Sequence, residues 1–279
     1  MAPGTRRSLR DRVAVEEPME IRVEQGGPAG PKAHSVAVTM RTPGNDFELA
    51  AGFLFSEGIV SGRDQVQEVT YCRNRDAQEY NIVTVRLREG VRLDESLLSR
   101  NFYTSSSCGV CGKASLEAVA VKGCVPLPRG RLNLDPHLLA RLPARLLEGQ
   151  DAFQRTGGLH AAGLFREKGE LLQLREDVGR HNAVDKVVGG SLLAGALPLE
   201  DRVLVVSGRT SFEILQKAVA AGIPAIVAVG APSSLAVDLA RRFNVTLLGF
   251  TRPEHFNLYA GCLLYTSDAA DEEDSVDLG

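Results

Sequence analysis

The sequence predicts an α/β protein in two parts. The N-terminal part is a mixed sheet-plus-helix subdomain, and the C-terminal part is a parallel-sheet α/β subdomain. Three observations carry this. Short alternating apolar segments gather around one amphipathic helical stretch early in the chain. From residue 202 onward, apolar runs alternate with helical patterns, the rhythm of β-α-β units. The composition is 44% hydrophobic and 24% charged, enough apolar surface for a core and unlike a disordered chain.

Residues 1–17 are polar, basic and aperiodic, and read as a loose arm. Residues 19–23 and 36–40 alternate apolar and polar, which predicts two strands joined by the Gly/Pro-rich run at 26–31. Asn45 or Asp46 stands where a helix cap belongs. Phe47, Ala50, Ala51 and Leu54 then fall on one helical face, and Gly58 ends the helix. Residues 66–71 and 80–87 predict an antiparallel pair with its turn at 73–78. The stretch 136–154 reads as helical, interrupted at Pro143, with Asp135 as N-cap and Pro136 in the first turn. Residues 160–166 and 170–175 predict a hairpin about Lys168-Gly169, followed by a helix through 183–188. Apolar runs at 202–206, 225–229 and 245–250 alternate with helices at 212–221 and 235–243, as expected of parallel strands covered on both faces. The expected organisation is an arm at 1–17, an N-terminal α+β subdomain at 18–130, a helical connector at 131–156, an α/β subdomain at 157–261, and a disordered or foreign tail at 262–279.

Charge narrows the function. There are 32 Lys plus Arg against 35 Asp plus Glu, a net charge of −3. Phosphate neutralisation needs a surplus of cations, so no nucleic-acid partner is expected. No stretch approaches the ~20 apolar residues of a membrane helix, and the N-terminus lacks the apolar core of a secretory signal. Five cysteines, Cys72, Cys108, Cys111, Cys124 and Cys262, are an odd number in a long chain. Together these point to a reducing cytoplasm, where a close cysteine pair is more often catalytic or metal-binding than structural. Cys72 and Cys124 lie near apolar runs and read as packing residues.

The sharpest feature is Thr104-Ser105-Ser106-Ser107-Cys108-Gly109-Val110-Cys111-Gly112. Serines and glycines predict a solvent-reaching loop. A helix starting near Gly112 would stabilise a thiolate ahead of it, and the thiolate is the competent sulfur nucleophile. Inert thiols, a zinc site and a thioredoxin-type site are the alternatives. Zinc needs four ligands, and the chain has no second CxxC or HxxxH. A thioredoxin site wants a strand directly before the pair, and a serine run is a poor strand.

Parallel sheets bind ligands beyond the carboxyl ends of their strands. Here Val206 runs into Ser207-Gly208-Arg209-Thr210-Ser211, Val229 into Gly230-Ala231-Pro232-Ser233-Ser234, and Phe250 into Thr251-Arg252-Pro253. Hydroxyl-rich helix starts favour anions, and Arg209 and Arg252 add forked donors that suit phosphate. The three ends together read as a pyrophosphate pocket, although each alone reads more readily as ordinary helix capping and a Gly turn. In 175–182, Asp177 or Asn182 stands where a cap belongs. His181 and Asp185 have the spacing to pair along one helical face.

Four motifs in order resemble the FdhD family: the loop at 104–112, Gly-Gly-Leu-His-Ala-Ala-Gly-Leu-Phe at 157–165, the segment 175–186, and the segment 206–218. The resemblance covers roughly 36–261. It implies a formate dehydrogenase accessory sulfurtransferase that takes sulfur from a cysteine desulfurase as a persulfide. That sulfur would pass to the molybdenum cofactor, in its bis(molybdopterin guanine dinucleotide) form, before insertion into formate dehydrogenase. By resemblance Cys108 carries the persulfide and Cys111 is its partner. Phe250, Thr251, Arg252, Pro253, Glu254 and His255 correspond to the family's cofactor-binding segment. Ser207, Gly208, Arg209, Thr210 and Ser211 join them, with His160, Asp177 and His181 as secondary candidates. GDP is then a fragment ligand. The resemblance also implies a homodimer and a C-terminal half like the cytidine deaminase fold. Deamination itself is not expected: His160 is followed by Ala161-Ala162 with no glutamate, and Cys108 is preceded by Ser107. A non-catalytic chaperone for the cofactor is the alternative function. Beyond Gly261 the chain departs from the family, and Cys262 is expected to carry no role.

Overall fold

The computed structural model describes residues 10–26, 30–73, 78–91, 93, 124–128 and 132–261. The CxxC loop, the helix expected after it and the tail from Cys262 lie outside these residues. Two sheets and six helices make up the described structure, a mixed α/β fold.

The first sheet has strands β1 (Glu17–Gln25), β2 (Lys32–Arg41), β3 (Val66–Arg73) and β4 (Gln78–Leu87), in the order β2-β1-β4-β3. β1 pairs antiparallel with β2 and parallel with β4, while β3 and β4 are antiparallel. Alternation decides the faces. Met19, Ile21, Val23, Val83 and Val85 are buried against helix α1 (Asp46–Ser56), which supplies Leu49, Ala50, Ala51 and Leu54. The opposite face is charged, with Arg86 bridging Glu24 at 2.6 Å and Glu68 at 3.0 Å. Asp46 opens α1 but forms no cap. Its carboxylate is buried and takes two hydrogen bonds from Arg41, 3.0 and 3.1 Å long.

Asp135 caps α2 (Pro136–Glu148), accepting from His137 N at 2.9 Å. The expected break at Pro143 does not occur there. Leu139, Leu142 and Leu146 bury along the helix on both sides of the proline, and that packing offsets the missing backbone bond. The break comes at Gly149, before α3 (Asp151–Thr156).

The second sheet contains β5 (His160–Arg166), β6 (Leu171–Asp177), β7 (Arg202–Val206), β8 (Ala225–Ala228), β9 (Thr246–Arg252) and β10 (His255–Ala260), in the order β10-β9-β8-β7-β5-β6. Only β7, β8 and β9 are mutually parallel. The β5–β6 hairpin joins antiparallel at one side and β10 at the other. Alternate residues serve opposite faces. Leu164, Leu204, Val206 and Ile226 pack under α4 (Arg180–Leu193), α5 (Phe212–Ala220) and α6 (Ser234–Phe243). Phe165, Val203, Val205 and Val227 pack under α2. α1 lies against α4 and so joins the two sheets.

Strand β9 runs two residues past the expected end at Phe250. Pro253 and Glu254 then form a tight turn into β10. The β10 segment escaped the sequence reading because an edge strand alternates only weakly: Asn257 and Leu258 are both exposed. Cys72 and Cys124 are half-buried, not fully enclosed.

Candidate functional site

A cleft of about 360 Å³ opens at the carboxyl ends of the parallel strands, lined by His160, Arg180, Ser207, Gly208, Arg209, Val229, Gly230, Phe250 and Arg252. Its walls are the strand ends themselves. Beyond β7 and β8 the chain keeps pairing: Val229 N donates to Val206 O at 3.1 Å, and Gly230 N to Gly208 O at 3.1 Å. Phe250 N in turn donates to Gly230 O at 3.2 Å. Ser207 locks onto β5 twice, donating from its amide to Ala161 O at 3.0 Å and accepting from Ala161 N at 2.8 Å. The glycines permit this closeness. A Cβ on Gly230 would stand 3.0 Å from Gly208 O, and one on Gly208 3.3 Å from His160 Nδ1.

Among the described residues the lining carries three arginines and no carboxylate. Arg252 donates to Val229 O at 3.1 Å and Thr251 O at 2.8 Å. Arg180 enters from the first residue of α4, and its buried Nε meets no partner among the described residues. His160 opens β5 at the cleft edge. Burial, then the charges of Arg180, His181 and Arg209, hold its pKa below the ordinary histidine value, so the ring is neutral near pH 7. Phe250 has φ 51°, a left-handed conformation uncommon for an aromatic residue, and its side chain is 44% exposed at the cleft. That backbone conformation presents the ring, partly exposed, at the cleft.

Of the residues singled out in the sequence, His160, Ser207, Gly208, Arg209, Phe250 and Arg252 come together in this cleft. Thr210 and Thr251 lie next to it, buried, each with a hydroxyl that has no partner among the described residues. Pro253, Glu254 and His255 stand exposed on the β9–β10 hairpin. Asp177 is fully buried and bonded to Lys186 at 2.7 Å. It accepts from the amide of Gly179, the residue at the cap position, and Asn182 packs inside the interface between the sheets. His181 does not pair with Asp185. Its Nε2 lies 3.0 Å from both Ser211 Oγ and Glu213 Oε2, while Asp185 pairs with Lys217. Cys108 and Cys111 lie outside the described residues. Arg180, Val229 and Gly230 were not among the selected site residues. Gly230 belongs to a strand-end turn already read from the sequence, whereas Arg180 has only its place after Gly179 to betray it.

Fold and cleft together define a class: a two-sheet α/β protein that opens an arginine-lined cleft at the carboxyl ends of its parallel strands. The chain belongs to the FdhD/NarQ family, whose model matches residues 14–263. It is 54% identical over 255 residues to the sulfur carrier protein FdhD of Streptomyces avermitilis, covering 90% of this chain and 88% of that one. Identity to the sulfur carrier protein FdhD of Mycobacterium tuberculosis is 49% over 253 residues, covering 88% and 89%. The crystal structure of a protein from Desulfotalea psychrophila, described as a formate dehydrogenase accessory protein, matches with a TM-score of 0.69 at 26% identity, covering 94% of each chain. No described helix is long and apolar enough to cross a membrane.

Proposed function

We propose that this chain is a sulfurtransferase that carries sulfur for formate dehydrogenase. Cys108 takes sulfur from a cysteine desulfurase as a persulfide, with Cys111 as its partner in the motif. The sulfur then passes to the bis(molybdopterin guanine dinucleotide) molybdenum cofactor, bound as substrate, before that cofactor enters formate dehydrogenase. The reading includes a homodimer working in the cytoplasm. It is supported by the name that the relatives share and by the family membership.

The observation that carries the substrate class is the cleft: three arginine side chains, a neutral histidine and an exposed aromatic ring, with no carboxylate among the described lining residues. Guanidinium forks match diphosphate oxygens, and an aromatic face suits a base. GDP is the fragment ligand this predicts. In this reading Arg180, Arg209 and Arg252 hold the diphosphate while Cys108 supplies the sulfur.

The test weighs the intact chain after incubation with a cysteine desulfurase and cysteine. Wild type should gain one sulfur atom and Cys108→Ala none, while both bind GDP equally by calorimetry. A wild-type chain that gains no sulfur ends the carrier reading and leaves cofactor escort alone.

A further inference from the structure

The residue that follows the first sheet's strand β2 bonds the turn that feeds the cleft, and the helix after that turn, through its amide, hydroxyl and carbonyl. Thr42 follows the last residue of β2. Its amide donates to Asp177 Oδ2 at 3.1 Å, its Oγ1 accepts from Val178 N at 3.1 Å, and its carbonyl accepts from Lys186 Nζ at 2.9 Å. Lys186 closes the circuit on Asp177 at 2.7 Å, with both side chains at most 1% exposed. Asp177 also takes the amide of Gly179 at 2.8 Å and Asn182 Nδ2 at 3.0 Å, and Asn182 reaches back to Met40 O at 2.8 Å. The backbone between β6 and α4 is thus held from the end of β2.

Arg180 leaves from this turn. Its side chain has no hydrogen bond of its own among the described residues, so its direction into the cleft is set by the backbone that carries it. We propose that Thr42 is a positioning residue: by holding the turn at 177–179 it couples the first sheet to the cleft and aims Arg180 at the ligand. This rests on the reading of the cleft as a diphosphate site. The physical reason is the steepness of hydrogen-bond energy with angle. A turn that slackens by a few tenths of an ångström misaligns a forked donor several bonds away.

Thr42→Val keeps the shape and the backbone bonds but removes the acceptor for Val178 N, whereas Thr42→Ser restores it. GDP affinity by calorimetry should fall about tenfold in Thr42→Val, one hydrogen bond's worth, and stay within about twofold of wild type in Thr42→Ser. Ile21→Ala, in the first sheet's core, should lower the melting temperature at least as much yet leave GDP affinity unchanged. Equal affinity in wild type and Thr42→Val, or an equal loss in Ile21→Ala, would overturn the proposal. An arm without variants uses reciprocity: GDP should slow amide exchange at 40–42 in wild type, and no slowing counts against the coupling. If wild type does not bind GDP, the diphosphate reading alone fails. The joint is then decided by exchange at 178–181 in the unliganded chain, faster in Thr42→Val and restored in Thr42→Ser if it exists, unchanged if it does not.

Discussion

Gly52 and Gly189 meet where α1 crosses α4, backbone against backbone. A Cβ on Gly189 would stand 1.8 Å from Glu48 O and 2.5 Å from Gly52 N. One on Gly52 would stand 1.9 Å from Asp185 O. The two sheets are joined through this crossing, and its closeness also brings Ser56 within 2.9 Å of Asp185. Gly189→Ala should therefore force the helices apart. Overpacking of this kind costs about 1–3 kcal/mol or more, and the melting temperature should drop accordingly. An unchanged melting temperature would mean that the helices can separate freely.

Lys217 and Asp185 are both buried and joined by hydrogen bonds of 2.8 and 2.9 Å. Burial pushes the Asp185 carboxyl up, opposed by Lys217 and Ser56. Burial pulls Lys217 down, but Asp185, Glu57 and Glu213 together outweigh it and hold the ammonium above its ordinary value. Lys217→Ala strands a buried carboxylate and should cost about 3–5 kcal/mol in urea unfolding. The double change Lys217→Met with Asp185→Leu should recover most of that loss. Equal stability of the single and double variants would show that the charge is not what hurts.

Arg180→Ala should weaken GDP binding by about 1.5–3 kcal/mol, the loss of a charge-assisted contact. Arg252→Ala should lose less, since part of that guanidinium is already spent on Val229 O and Thr251 O. Titration calorimetry at two salt concentrations measures both. Affinity untouched by either change would remove the arginines from the proposed site.

His160 gives the cleft a pH signature. Its native pKa is depressed, while the unfolded chain titrates near the ordinary value of about 6.5. As pH falls through that value the unfolded state gains a proton that the native state refuses, so stability decreases. A bound anion relieves the repulsion from the arginines, so GDP binding should take up a proton below about pH 6.5. His160→Gln should abolish the extra uptake and flatten the acid limb of stability. Identical proton uptake in wild type and variant, from calorimetry in buffers of different ionisation enthalpy, would exclude His160.

Much of the architecture was legible in local pattern. Alternation at 19–23 and 160–166, the Gly turns after Val206 and Val229, and Asp135-Pro136 each report a local requirement that one side chain meets on its own. The strand ends that wall the cleft were readable for the same reason. Strands β7, β8 and β9 meet at their carboxyl ends, and Ser207, Arg209 and Arg252 follow from where those strands stop.

What local pattern leaves open is the identity of partners. Asp177 and His181 carry the polar residue types of a binding site, yet Asp177 is spent inside the protein on Lys186 and on Thr42, 135 residues away in the chain. Pro143 reads as a break until Leu142 and Leu146 find a sheet to bury against. Phe250 turns left-handed where the β9–β10 register shifts between Gly249 and Arg252, with its amide held by Gly230 O, a setting no local pattern announces. The sequence by itself determined which residues are apolar at which period, and so the elements and the order of the strand-end turns. The tertiary structure decided which charges are buried in pairs and which arginines are left over to face the cleft. The free energy of a charge depends on what surrounds it in space, and those surroundings include groups more than a hundred residues away, as Thr42 is from Asp177 and Ser56 from Asp185.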